Sequence, residues 1–189
     1  MSLFEEELFT KKQYSKNPLT KGDYEYCEFH NCDFSDSDLS KIRFLESEFV
    51  DCNFSNANLF ETNFQDVSFR NCKMLGLQFE KCNTFGFSAT FDECQLSHSV
   101  FYQTKLSHSK FRNCVMHGVD FAEADISNGT ITNCDLTNAV FDNTVLQKAD
   151  LSKSTNYTID PENNNIKGAK FSIPEVLRLL HKYNLKIDN

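Results

Sequence analysis

The chain has 189 residues, a formal net charge of −8, 40% apolar and 13% aromatic side chains, eight Cys and no Trp. That is one domain's length with enough apolar surface to bury a core, and the acidic excess argues against direct attraction to nucleic acid or anionic lipid. No apolar run reaches the length of a signal h-region or a membrane span, so a cytoplasmic setting is expected.

In chain order, residues 1–22 show no repeat and read as an N-terminal cap, with Phe4, Leu8 and Phe9 set around three Glu. From Phe29 every fifth residue is large and apolar, through Phe34, Leu39, Phe44 and onward to Phe79. The series resumes two residues out of step at Phe91 and runs to Leu151. All 24 of these centres are Phe, Leu, Met or Ile, a period that fits neither an amphipathic helix nor an alternating strand. Two residues before each centre sits a compact side chain, as at Cys32, Ser37, Ala57 and Thr62, except for the bulkier but still apolar Ile42 and Leu77, and the other three places are mostly polar.

Two inward residues in five describe a chain that turns a corner at each step and stacks its coils as a parallel ladder. Cys32, Cys52 and Cys72 are twenty apart, as are Cys94, Cys114 and Cys134, so each coil has four sides and these six share one column. Cys27 and Cys82 occupy the same place on other sides. A free Cys behaves as a small buried hydrophobe, and the spacing matches neither zinc pairs nor good disulfide geometry. The expected domain is a four-sided β-solenoid over residues 23–156, with a register slip at 80–90. There Thr84 is a weak centre and Phe85 and Phe87 bulge outward as a possible contact point.

Residues 157–189 read as a closing segment. Ser172 and Glu175 have the spacing of a capping box and Pro174 suits a first helical turn. Val176, Leu177, Leu180 and Tyr183 then share a helix face with Leu179 to the side, and Leu185 and Ile187 alternate like a short strand. These residues cap the open ladder and offer a surface to a second copy.

Charge is uneven along the rod. Residues 23–93 hold 14 acidic and 5 basic residues, a net of −9. They span roughly 17 Å of axis, over which duplex DNA would carry about 10 charges. Asp36, Glu46, Asp51, Glu61 and Asp66 share one outward place in the five, and Asp33, Asp38 and Glu48 another. These eight are the candidate partner-binding residues, against the alternative of an ordinary solvated surface. Nucleotide-binding, serine-hydrolase and zinc-protease motifs are absent and the five His are scattered, so no catalytic residue, cofactor or metal site is expected.

Runs such as Cys32-Asp33-Phe34-Ser35, Ala57-Asn58-Leu59 and Ala124-Asp125-Ile126 resemble the A(D/N)LXX repeat of the pentapeptide-repeat family. The resemblance covers roughly residues 22–156 and implies an all-β, right-handed quadrilateral β-helix followed by a short C-terminal α-helix. The tail, from Ile159 through Ser172, is similar to that of the Qnr-like subgroup, in which the C-terminal segment commonly joins two monomers. That implies a homodimer and a protein partner, DNA gyrase or topoisomerase IV, shielded from fluoroquinolones by DNA mimicry. A scaffold protein with another partner is the competing expectation. Qnr members often carry longer loops than the two-residue slip here.

Overall fold

The computed structural model describes residues 2–186, and the chain winds as a four-walled parallel β-solenoid. Wall 1 carries β1 (Ser2–Glu5), β3 (Gly22–Glu25), β5 (Arg43–Leu45) and β7 (Asn63–Gln65). Wall 2 carries β2 (Leu8–Thr10), β4 (Glu28–His30), β6 (Glu48–Val50), β8 (Val67–Arg70), β9 (Ala89–Asp92), β10 (Lys110–Arg112) and β11 (Thr130–Thr132). Every pairing is parallel, and Phe29 faces Phe49 and Phe49 faces Phe69 across rungs twenty residues apart. Walls 3 and 4 are held by single bridges, among them Asp33 to Asn53 and Asp38 to Asn58.

The centres pile into ring columns. On wall 2, Phe9, Phe29, Phe49, Phe69, Phe91 and Phe111 stack with centroids 4.7 to 5.2 Å apart. Neighbouring columns meet edge to face, as Phe49 meets Phe54 at 5.1 Å. Both arrangements suit the ring quadrupole.

The compact residue two before each centre does more than fit. Cys52 Sγ donates to the Phe29 carbonyl at 3.3 Å, Cys72 to Phe49 at 3.4 Å and Cys114 to Phe91 at 3.6 Å. Thr62, Ser99, Thr144 and Ser154 make the same bond to Leu39, Met74, Phe121 and Ile131. Each side chain therefore donates to a buried carbonyl one rung back, adding a second donor where that carbonyl already accepts a backbone N–H, as Leu39 does from Ile42 and Phe121 from Ala124. That explains why Cys, Ser and Thr share the place with Ala. All eight thiols are free and buried, and burial pushes Cys82 up. A thiol-reactive dye therefore titrates close to none of them in native buffer and all eight in guanidinium; rapid native reaction would show the column to be open.

The last residue of each five turns the corner with positive φ, at 53° for Asp36, 46° for Glu46 and 55° for Asp51. Asn, Asp and Gly tolerate this region best, which accounts for Asn31, Asn56, Asn71, Asn113, Asn128 and Asn133 there.

Three expectations are corrected. Residues 2–21 form a complete first rung: β1 pairs with β3 and β2 with β4, and Phe4, Phe9, Tyr14 and Leu19 continue the five-step series. The series was hidden because Lys12 and Asn17 stand where a compact residue belongs. At the slip, Thr84 is exposed, and Phe87 is half-buried with its ring edge-on to Phe64 at 6.4 Å and Phe79 at 6.3 Å. Only Phe85 points outward, at 81% exposure. The wall-1 column would otherwise lose its ring above Phe64, and burying a Phe contributes about 1.5–3 kcal/mol.

At the C-terminus, Glu175–Tyr183 forms a 3₁₀ helix rather than an α-helix, with no side-chain cap. Ser172 Oγ accepts from the Lys153 N–H at 2.9 Å and a Glu175 carboxylate oxygen from the Asn156 N–H at 3.1 Å. Both close the last coil instead of capping the helix. Leu179 packs against the core and Val176 is half-buried, whereas Leu177, Leu180 and Tyr183 are exposed, so the four do not share one face. Lys182 ties the helix down through Asp160 at 2.7 Å and Glu162 at 2.6 Å. Ile187 lies outside the described residues.

Candidate functional site: an acidic edge

The twenty-residue register distributes the eight candidate carboxylates over all four walls. Glu46 and Asp66 stack on the corner between walls 1 and 2, with Glu48 beside them on β6. Asp51 lies on the next corner, Asp33 and Asp36 on wall 3 and the corner after it, Asp38 on wall 4, and Glu61 on the corner leading back to wall 1.

Several are occupied locally. Asp38 meets Lys21 Nζ at 2.9 Å, and that contact, with the Ser40 hydroxyl, holds its carboxyl down at about 2. Asp33 is raised by partial burial but lowered on balance, because Ser35, Ser15 and Asn53 donate to it. Glu48 meets Arg70 at 3.0 Å and Glu61 meets Lys41 at 3.7 Å. Asp51 accepts from Asn71 at 2.6 Å. Since the folded Asp38 carboxyl lies below its unfolded value near 3.9, its stabilising contribution is present above about pH 4. It fades as pH falls toward 2. Asp38→Asn should flatten that limb of an acid-unfolding curve slightly, the pair being half-exposed.

The corner between walls 1 and 2 is different. In consecutive rungs it presents Glu25 and Glu28, then Glu46 and Glu48, then Asp66. Glu46 and Asp66 enter no ion pair among the described residues, and Asp66 accepts only from Ser88 Oγ at 2.7 Å. Glu46 raises the phenol of Tyr26, the corner residue one rung below. Arg43, shared between Asp23 and Glu25, and Arg70 on Glu48 are the nearby counter-charges. Five carboxylates over two rung steps, about 10 Å, compare with roughly 6 charges on that length of duplex DNA.

The structure thus gathers three predicted residues, Glu46, Glu48 and Asp66, and separates Asp33, Asp36, Asp38, Asp51 and Glu61 from them. Glu25 and Glu28 continue the edge, and Glu5, Glu6 and Glu7 stand on the same corner in the first rung. The signal for Glu28 was its twenty-residue spacing to Glu48, whereas Glu25 stacks on Leu45 and had no such signal.

Two apolar features lie apart from this edge. Phe85 stands over a wall-1 cleft of about 880 Å³ lined by Asp23, Arg43, Glu61 and Asn63. Leu177, Leu180 and Leu185, with His181 and Asn184, line a shallow depression of about 390 Å³ on the outer face of the C-terminal helix. Among the described residues no group of three or more His, Cys, Asp or Glu could hold a metal ion. No helix there is long and apolar enough to cross a membrane.

The sequence pattern defining the pentapeptide repeat region matches residues 23–101 and 87–171. No curated protein matches the chain in sequence. Among solved structures, QnrB1, a plasmid-mediated fluoroquinolone resistance protein, superposes in one trypsin-treated form with a TM-score of 0.61 at 19% identity. That match covers 98% of this chain and 99% of that one. A second form gives 0.58 at 20% identity over 99% and 100%. HetL, involved in heterocyst differentiation regulation in Nostoc sp. strain PCC 7120, gives 0.59 at 15% identity over 89% and 86%. At these identities the likeness is one of fold.

Proposed function

The chain belongs to the pentapeptide-repeat family, and from that premise we propose that it is a non-catalytic binding rod whose acidic edge occupies the basic DNA-binding surface of a type II topoisomerase. The observation that carries this reading is the run Glu25, Glu28, Glu46, Glu48 and Asp66 along one corner, with Glu46 and Asp66 uncompensated. A rigid row of carboxylates at a spacing near that of backbone phosphates fits a groove built to neutralise them. The QnrB1 likeness supports the shape required, and its name supports fluoroquinolone sensitivity as the property modulated. The exposed strip Leu177, Leu180 and Leu185 is the surface through which a second copy would extend the rod.

The test is a gyrase supercoiling assay, with and without a fluoroquinolone, beside direct binding at increasing salt. Altered supercoiling together with binding that weakens steeply as salt rises is expected. Unchanged supercoiling and no salt-sensitive binding would refute the reading. A second reading, a scaffold with another partner, is favoured by the local pairing of Asp33, Asp38, Glu48 and Glu61, which leaves most of the surface mixed in charge. It predicts binding that ignores the acidic corner.

A further inference from the structure

The two ends of the solenoid are finished differently. At the C-terminal end Leu179 packs against the core and Lys182 clasps the last coil. At the N-terminal end, among the described residues, nothing covers the first rung. Phe4 and Phe9 each stack on one ring only, Tyr24 at 4.6 Å and Phe29 at 4.7 Å, and remain half-buried where Tyr24 and Phe29 are buried. Leu3 and Leu8 are 55% and 62% exposed.

The backbone of this rung is an open edge. Glu7 accepts from the Glu28 N–H at 2.9 Å and Lys11 donates to the His30 carbonyl at 2.9 Å, so on β2 the alternate residues Leu8 and Thr10 turn both polar groups away from the molecule. Glu6 donates to the Glu25 carbonyl, leaving Leu3 and Glu5 facing out on β1 in the same way. Asp33 donates to Lys12 and Tyr14 to Asp33, leaving Gln13 facing out on wall 3. The charges are segregated: Glu5, Glu6 and Glu7 fill one corner, and Lys11 and Lys12 fill the next. None of the five enters an ion pair within the molecule among the described residues.

We propose that this edge pairs with the same edge of a second copy, β2 antiparallel to β2, about a two-fold axis through Phe9. In that register Leu8 faces Thr10 of the second copy and the two exchange both hydrogen bonds, twice by symmetry, with Phe9 on Phe9 between them. The same operation sets Glu7 opposite Lys11, Glu6 opposite Lys12, Glu5 opposite Gln13 and Phe4 over Tyr14. Free backbone groups, interior rings and charges all match in this one register. Charges placed only to repel edge pairing would not need to segregate by corner into complementary sets. A parallel addition to this edge would require an open last coil, which the C-terminal helix covers. Two seven-stranded sheets become one continuous sheet across the junction.

The test is sedimentation of the full chain carrying Leu177→Asp and Leu180→Asp, which removes the outer strip of the C-terminal helix and leaves only this end to be read. That protein should sediment as a dimer that weakens with salt. Adding Glu6→Lys with Glu7→Lys, or Lys11→Glu with Lys12→Glu, should raise the dissociation constant about tenfold or more. Each makes one uniformly charged rim. An equimolar mixture of the two variants should restore the dimer, because every facing pair is then opposite in sign. A monomeric parent, variants that dimerise undiminished, or a mixture that stays monomeric would each overturn the proposal. Sedimentation is read on this protein alone, with no topoisomerase present, and Lys11→Glu with Lys12→Glu lies off the acidic corner, so the outcome is independent of topoisomerase binding.

Discussion

Phe69→Ala should destabilise the solenoid by about 3–5 kcal/mol, measured by guanidinium unfolding followed by circular dichroism. Phe69 is 1% exposed, stacks on Phe49 at 5.1 Å and Phe91 at 5.2 Å, and receives Phe54 and Phe64 edge-on at 5.6 and 5.5 Å. The ladder fixes the spacing of its neighbours, so the cavity cannot collapse, and the loss lies at the upper end of what ring removal costs. In a stack where each rung touches only the next, an empty middle position also uncouples the two halves. The transition should therefore broaden or split. Thr90→Ala, at an outward place on the same wall, should stay within about 0.5 kcal/mol. A loss at Phe69 below about 1 kcal/mol would contradict the column as the main source of stability.

Neutralising the acidic edge, with Glu25→Gln, Glu28→Gln, Glu46→Gln, Glu48→Gln and Asp66→Asn together, should weaken the proposed topoisomerase binding by roughly fivefold to several thousandfold. Exposed charge contacts are worth about 0.2–1 kcal/mol each, and about 1.4 kcal/mol is a factor of ten. The dependence of binding on salt should flatten as well, since fewer charges are being screened. Asp36→Asn, Asp51→Asn and Glu93→Gln, on other corners, change net charge without touching the edge and should leave most of the affinity. Equal losses from both sets would mean that only overall charge matters. No loss from either would favour the scaffold.

The architecture was legible because period and register are properties of spacing alone: Cys32 to Cys52 to Cys72 places a column before any coordinates are known. Three things were not. The first rung was concealed by Lys12 and Asn17, since an end rung has no coil beneath it and tolerates long polar residues at inward places. Phe87 was misplaced because the slip could be absorbed on either side of Gly86, and only the gap above Phe64 decides it. The acidic edge was blurred because phase within five says that a residue points out, whereas phase within twenty says which wall it is on. Glu46 and Asp51 share the former and lie on different corners.

The bonds from Cys, Ser and Thr to the carbonyl one rung back give the interior a direction. A chain synthesised from its N-terminus lays each coil on a template already complete below it, and each arriving thiol or hydroxyl donates to a carbonyl of that template. Shortening or lengthening the rod is consequently quantised. Removing twenty residues returns every thiol and hydroxyl to an equivalent carbonyl, whereas removing five leaves the small-residue pattern intact but delivers the closing helix to the wrong side.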